Sequence, residues 1–102
     1  MILTTTEQLG RNYEIIGIVK GNTVQTVNAI KDIGAGLKTL VGGELTKYNE
    51  MMDNARKIAT DRMIREAEAL GADAIVGIRY SSASVMQGAA EIMAYGTAVR
   101  MV

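Results

Sequence analysis

Over residues 46–70 the apolar side chains Tyr48, Met52, Ala55, Ala59, Met63, Ala67 and Leu70 recur at helical spacing, and Met51 and Ile58 widen the same stripe. Apolar groups placed this way share one face of an α-helix and have to be buried against something. Thr46 stands where an N-cap hydroxyl belongs, and Gly71 follows the last turn, where a left-handed residue closes a helix. At 1.5 Å per residue such a helix is roughly 37 Å long, against a radius of gyration of about 13 Å for a compact chain of this size. One end is therefore expected to overhang its own core, and the expected cover for the overhanging stripe is a neighbouring copy.

Residues 13–24, with Ile15, Ile16, Ile18, Val19 and Val24, are rich in β-branched groups on both parities and predict a strand covered on two faces, with a bulge or a close backbone approach at Gly17 and Gly21. Val27, Ile30, Ile33, Leu37, Leu40 and Val41 predict a short amphipathic helix ending at Gly42-Gly43 and weakened by Gly34 and Gly36. Residues 74–82 and 91–102 read as two strands of an antiparallel hairpin, buried along much of its length, with the small-residue segment 83–90 between them. Residues 2–6 add a short edge strand. The order strand, short helix, long helix, strand, strand is an α+β layer, with helices on one face of a mainly antiparallel sheet.

The 102 residues fit one domain spanning 1–102. Eleven basic and eleven acidic side chains balance, so no long-range field draws the chain to nucleic acid or to anionic lipid. The 48% hydrophobic content and the absence of net charge both favour an oligomer. No stretch resembles a signal peptide or a membrane span, so the expected compartment is the cytosol.

Chemistry is restricted by what the chain lacks: it has no cysteine and no histidine, hence no thiolate nucleophile and no imidazole titrating near neutrality. No catalytic residue is assigned, and no cofactor is specified. The segment 34–39 fails the phosphate-loop pattern, because the glycines that Lys38-Thr39 would require are Leu37 and Asp32. The seven methionines raise a thioether site for a soft ion, with Met93 and Met101 on one strand parity and Met51 and Met52 adjacent, but core filling explains them better. On the long helix, Asp53 with Lys57 and Asp61 with Arg65 are acid-before-base pairs four apart, so the charged face reads as a solvated surface. The cationic cluster of Arg56, Lys57, Arg62 and Arg65 is interrupted by Asp53, Asp61, Glu66 and Glu68 and is a poor match to a nucleic-acid stripe. Arg79 and Glu91 punctuate apolar strands that a hairpin could bring together. With Tyr80 and Glu14 they are the candidate interface or pocket residues, and Arg11 is a weaker candidate of the same kind. A structural ion pair or edge exposure is the simpler explanation for Arg79 and Glu91.

The segments 32–43, 45–52, 62–79 (Arg-Met-Ile-Arg-Glu-Ala-Glu-Ala-Leu-Gly-Ala-Asp-Ala-Ile-Val-Gly-Ile-Arg) and 94–99 (Ala-Tyr-Gly-Thr-Ala-Val) together resemble the YbjQ-like family of prokaryotic proteins. The resemblance covers nearly the whole chain. It implies a small α+β subunit similar to the dodecin-like fold, closed into a homopentameric, propeller-like ring, and a heavy-metal-binding role. With neither thiol nor imidazole, ligation would fall to carboxylates, carbonyls or methionine sulfur. The favoured expectation is a non-enzymatic self-assembling module that binds a metal ion or small ligand. The alternatives are an enzyme with a carboxylate, Tyr or Lys site between subunits, or a regulatory scaffold.

Overall fold

The computed structural model describes residues 1–26, 43–86 and 89–102, with side chains outside 43–48. The elements are β1 (Ile2–Leu3), β2 (Tyr13–Thr26), α1 (Gly43–Ala69), β3 (Ala74–Met86) and β4 (Ala89–Met101). The strands form one sheet in the order β1-β3-β4-β2, in which β4 runs antiparallel to both β2 and β3 and β1 lies parallel to β3. The short edge strand and the mainly antiparallel sheet match the sequence expectation. The short helix expected over 27–41 lies outside the described residues.

The glycines of β2 do what their positions suggested. The register with β4 slips between Ile15 and Gly17, so the strand carries a bulge there. Gly21 is buried, and a Cβ at that position would strike the carbonyl oxygen of Ala59 and the backbone nitrogen of Met63. The absence of a side chain is what lets the helix come down onto the strand.

Helix α1 buries Met51, Ala55, Ala59, Met63 and Ala67, a stripe at strict steps of four, and packs the last four of them against Val19, Ile75, Ile92, Ala94 and Ala98. Full burial of a side chain such as Met63 or Ile75 is worth about 1.5–3 kcal/mol. The stripe differs from the expected one in detail: Met52 and Ile58 are half-buried and Leu70 is exposed. The helix begins at Gly43, so Thr46 lies within it rather than capping it. Its C-terminus closes as expected. Gly71 has φ +77°, its N–H donates to the Glu68 carbonyl at 3.0 Å, and the Ala72 N–H donates to the Ala67 carbonyl at 3.1 Å, the 5→2 and 6→1 bonds of a Schellman end.

The expectation of a helix overhanging its own core is overturned from Ala55 to Ala67, because the chain's own sheet covers that stripe. The reason is strand length. The hairpin strands continue through most of the segment assigned to a connection, so β2, β3 and β4 have 14, 13 and 13 residues. At about 3.3 Å per residue they reach roughly 43–46 Å, as long as the helix at about 40 Å.

Among the described residues, the face of the sheet away from α1 is packed at one end. There Leu9, Tyr13 and Met101 pack over Ala74, Val76 and Val99. The Tyr13 hydroxyl donates to the Glu7 carbonyl at 2.7 Å and ties down the segment that does the covering.

Candidate functional site

Strand β3 changes character along its length. Ala74, Ile75, Val76 and Ile78 are buried between the helix and the N-terminal segment, whereas every residue from Arg79 to Met86 is exposed. The change follows the sequence, in which an aliphatic run gives way to Tyr-Ser-Ser-Ala-Ser-Val-Met over 80–86. Gly77, at φ +62°, marks the junction with a register shift between Val76 and Arg79. The N-terminal segment also stops there: the Gly77 N–H donates to the Thr6 carbonyl at 3.0 Å and the Ile78 N–H to the Thr4 carbonyl at 3.1 Å. A hairpin buried along much of its length was expected; instead its β3 side is bare beyond Ile78.

Arg79 and Glu91 do not form a pair. Arg79 lies opposite Tyr95 and Glu91 opposite Ala83, four positions apart along the sheet, or about 13 Å. The Arg79 guanidinium donates to the carbonyls of Thr5 at 2.9 Å and Ile78 at 2.8 Å, so it clips the N-terminal segment to β3. Half-buried Glu91 accepts a hydrogen bond from the Asn22 amide at 3.0 Å. Glu14 sits on the surface with Arg100, 3.5 Å away, and Arg11 reaches the Val102 carbonyl at 3.4 Å.

Of the candidates, Tyr80 alone lines the open 580 Å³ groove between α1 and β3, with Asp53, Arg56, Lys57, Thr60 and Asp61. Its hydroxyl shares a 2.8 Å hydrogen bond with that of Thr60. Asp53 pairs with Arg56 rather than with Lys57. Neither hydroxyl has an imidazole or a thiol to activate it anywhere in the chain; the groove offers two hydroxyls and side chains of both charges.

Two residues of the interrupted charge cluster on the helix have specific partners. The Lys20 N–H donates to Glu66 Oε1 at 3.2 Å, and Arg62 Nη1 donates to the Asn22 carbonyl at 2.7 Å. Both backbone groups point outward from β2, the strand at one end of the sheet. Arg62 and Glu66 each precede a member of the buried stripe, Met63 and Ala67, and that flanking position is the sequence signal that places them beside the sheet.

The described residues of one chain do not gather a donor set that suits a heavy-metal ion. Cysteine and histidine are absent from the sequence, and no three acidic side chains converge among the described residues. Met93 and Met101 are eight residues apart on β4, roughly 26 Å, too far to share an ion. Among the described residues no helix is long and apolar enough to cross a membrane.

One helix laid along a mixed four-stranded sheet, with half of an outer strand uncovered, defines a small α+β module. The chain belongs to the YbjQ family, whose model, described as "Putative heavy-metal-binding", matches residues 1–102. Its relatives include a UPF0145 protein of Clostridium novyi, 56% identical with 99% of each chain covered. Another, from Pseudothermotoga lettingae, is 60% identical, covering 99% of this chain and 97% of its own. The fold is shared with a protein of unknown function of the DUF74 family from Pediococcus pentosaceus, at a TM-score of 0.74 and 22% identity, covering 100% of this chain and 98% of that one.

Proposed function

We propose that this chain is a non-enzymatic module that works by assembling with copies of itself into a homopentameric ring of the dodecin-like kind, and that the ring binds a metal ion or small ligand on a surface the copies build together. The observation that carries the reading is the apolar area left bare on the two long outer strands. Ile15 is 72% exposed and Ile18 80% on β2, and Val85 and Met86 stand 50% and 67% exposed on β3. Exposed apolar groups gathered along strands of a neutral chain favour association, because burying them removes area from water and no net charge opposes the approach. A metal ion in such a ring would draw oxygen or thioether donors from more than one copy, since the described residues of one chain do not gather three acidic side chains.

Native mass spectrometry of the full chain at micromolar concentration tests the assembly, with five times the 10.9 kDa chain mass as the expected result. A spectrum of single chains alone overturns it. Calorimetric titration of the assembled chain with a transition-metal ion tests the metal part: heat above dilution is expected, and its absence removes the metal and leaves the small ligand.

A further inference from the structure

Past the part packed by Leu9, Tyr13 and Met101, the face of the sheet away from α1 carries a row of two cations and an aromatic ring. On β2, Val19 and Gly21 meet the helix, so Lys20 between them points to the opposite face. On β4, Ala94 packs with the helix and Tyr95 points away from it. Tyr95 is paired with Lys20 on one side and with Arg79 on the other. Directly paired residues share a face, so the three side chains form one row, with the two cations about 10 Å apart at Cα. All three are exposed. The adjoining rows are uncharged: Thr97 with Ile18 on one side, Met93 with Asn22 and Ser81 on the other. The two acids of β2, β3 and β4 are engaged elsewhere, Glu14 with Arg100 and Glu91 with Asn22, the latter about 13 Å along the sheet from Tyr95. Glu66 reaches the Lys20 N–H from the helix. Among the described residues neither the Lys20 ammonium nor the Arg79 guanidinium is salt-bridged. The Thr5 and Ile78 carbonyls hold that guanidinium through Nη1, which leaves Nε and Nη2 to donate.

We infer that the row of Lys20, Tyr95 and Arg79 binds a small aromatic anion, a planar ring that carries a carboxylate or a phosphate. The choice of occupant follows from complementarity. Tyr95, with Ile18 and Met93 in the adjoining rows, gives an apolar floor on which a ring can stack, and the cations on either side give a positive rim for its anionic group. Arg79 is suited to that group because its remaining donors match the geometry of a carboxylate or phosphate. The footprint sets the size. Positive charge crosses the sheet in a single row and stops at uncharged rows on both sides, whereas a nucleic-acid strand needs a basic track along its backbone, and the chain as a whole is formally neutral. The row belongs to one chain, so this site goes beyond the surface that the copies build together and stands or falls apart from it.

The test is calorimetric titration of the full-length chain with naphthoate, adenosine monophosphate, the uncharged naphthalenemethanol, acetate and a short oligodeoxythymidine, with sedimentation velocity and thermal melting of each variant alongside. Naphthoate and adenosine monophosphate should bind saturably, and naphthalenemethanol and acetate about tenfold more weakly or not at all. Added salt should weaken naphthoate and leave naphthalenemethanol unchanged. Lys20→Glu and Tyr95→Leu should each weaken naphthoate about tenfold, and Tyr95→Leu decides the outcome if Lys20→Glu does not fold. Lys57→Glu, in the groove between α1 and β3, should change nothing. Binding of only one of the two aromatic anions supports the site and identifies its anionic group. The inference is overturned if neither anion saturates, if naphthalenemethanol binds as tightly as naphthoate, or if Lys57→Glu weakens naphthoate as much as Lys20→Glu. Oligodeoxythymidine bound far more tightly than adenosine monophosphate overturns it too, in favour of a nucleic-acid strand. An assembled chain that binds neither anion overturns this site alone; a chain that stays single yet loses naphthoate through Lys20→Glu and Tyr95→Leu supports the site and overturns the assembly alone.

Discussion

The first and second halves of β3 run through the same sheet, paired to the same neighbour, and have opposite surroundings. Ala74, Ile75, Val76 and Ile78 are enclosed by the helix on one face and by the N-terminal segment on the other; residues 79–86 are exposed on both faces. Backbone pairing with β4 continues through both halves, so ladder hydrogen bonds alone do not make a core. What differs is whether another layer lies above the side chains. The half without one leaves apolar side chains such as Val85 and Met86 exposed.

That contrast can be broken most severely at Gly21. Gly21→Leu places a side chain into the backbone of α1 at Ala59 and Met63, and should cost about 3 kcal/mol or more, seen as a large drop in the denaturant midpoint. Gly17→Ala, four residues away, meets nothing within 4 Å and has no positive φ. It should be neutral or stabilising by up to about 1 kcal/mol. Next, Met63→Ala in the enclosed layer should cost about 2–5 kcal/mol. Met86→Ala at the bare end should stay within about 0.5 kcal/mol for the single chain in a chemical denaturation. A comparable loss at Met86 would mean that the second half is covered even in one chain. Asn22→Ala removes the donor to half-buried Glu91 and should cost about 1 kcal/mol. The smallest effect is expected at Tyr80→Phe, which loses an exposed hydroxyl contact with Thr60 and should shift stability by less than about 0.5 kcal/mol.

Much of the architecture was legible because it rests on local chemistry. The long helix declared itself by its apolar period and by Gly71, and the bulge and the close approach in β2 by Gly17 and Gly21. Strand lengths were less legible, since small and polar residues such as Ser84 and Ala90 suit a strand or a connection equally well; only pairing with a long partner decides. The overhang was expected because the helix was measured against a compact chain, whereas the molecule is 54 Å along its longest axis. With strands as long as the helix, the stripe from Ala55 to Ala67 is covered at home, and the uncovered area lies on the outer strands of the sheet. The candidate residues fared unevenly for a related reason. Register sets which residues face each other, and it put Arg79 opposite Tyr95 rather than Glu91. Glu66 and Arg62 were read only as members of an interrupted charge cluster: their positions flanking the buried stripe mark them as beside the sheet, but their partners are backbone atoms of Lys20 and Asn22, which a side-chain pattern does not identify.

Residue-resolved amide hydrogen exchange of the unmodified chain, diluted to single chains, tests the contrast between the two halves of β3 most directly. The amides of residues 74–78, enclosed by both layers, should exchange only when the whole chain unfolds, while those of residues 79–86 exchange faster through local opening. Equal protection of the two halves in the single chain, or faster exchange in the first, would contradict the account.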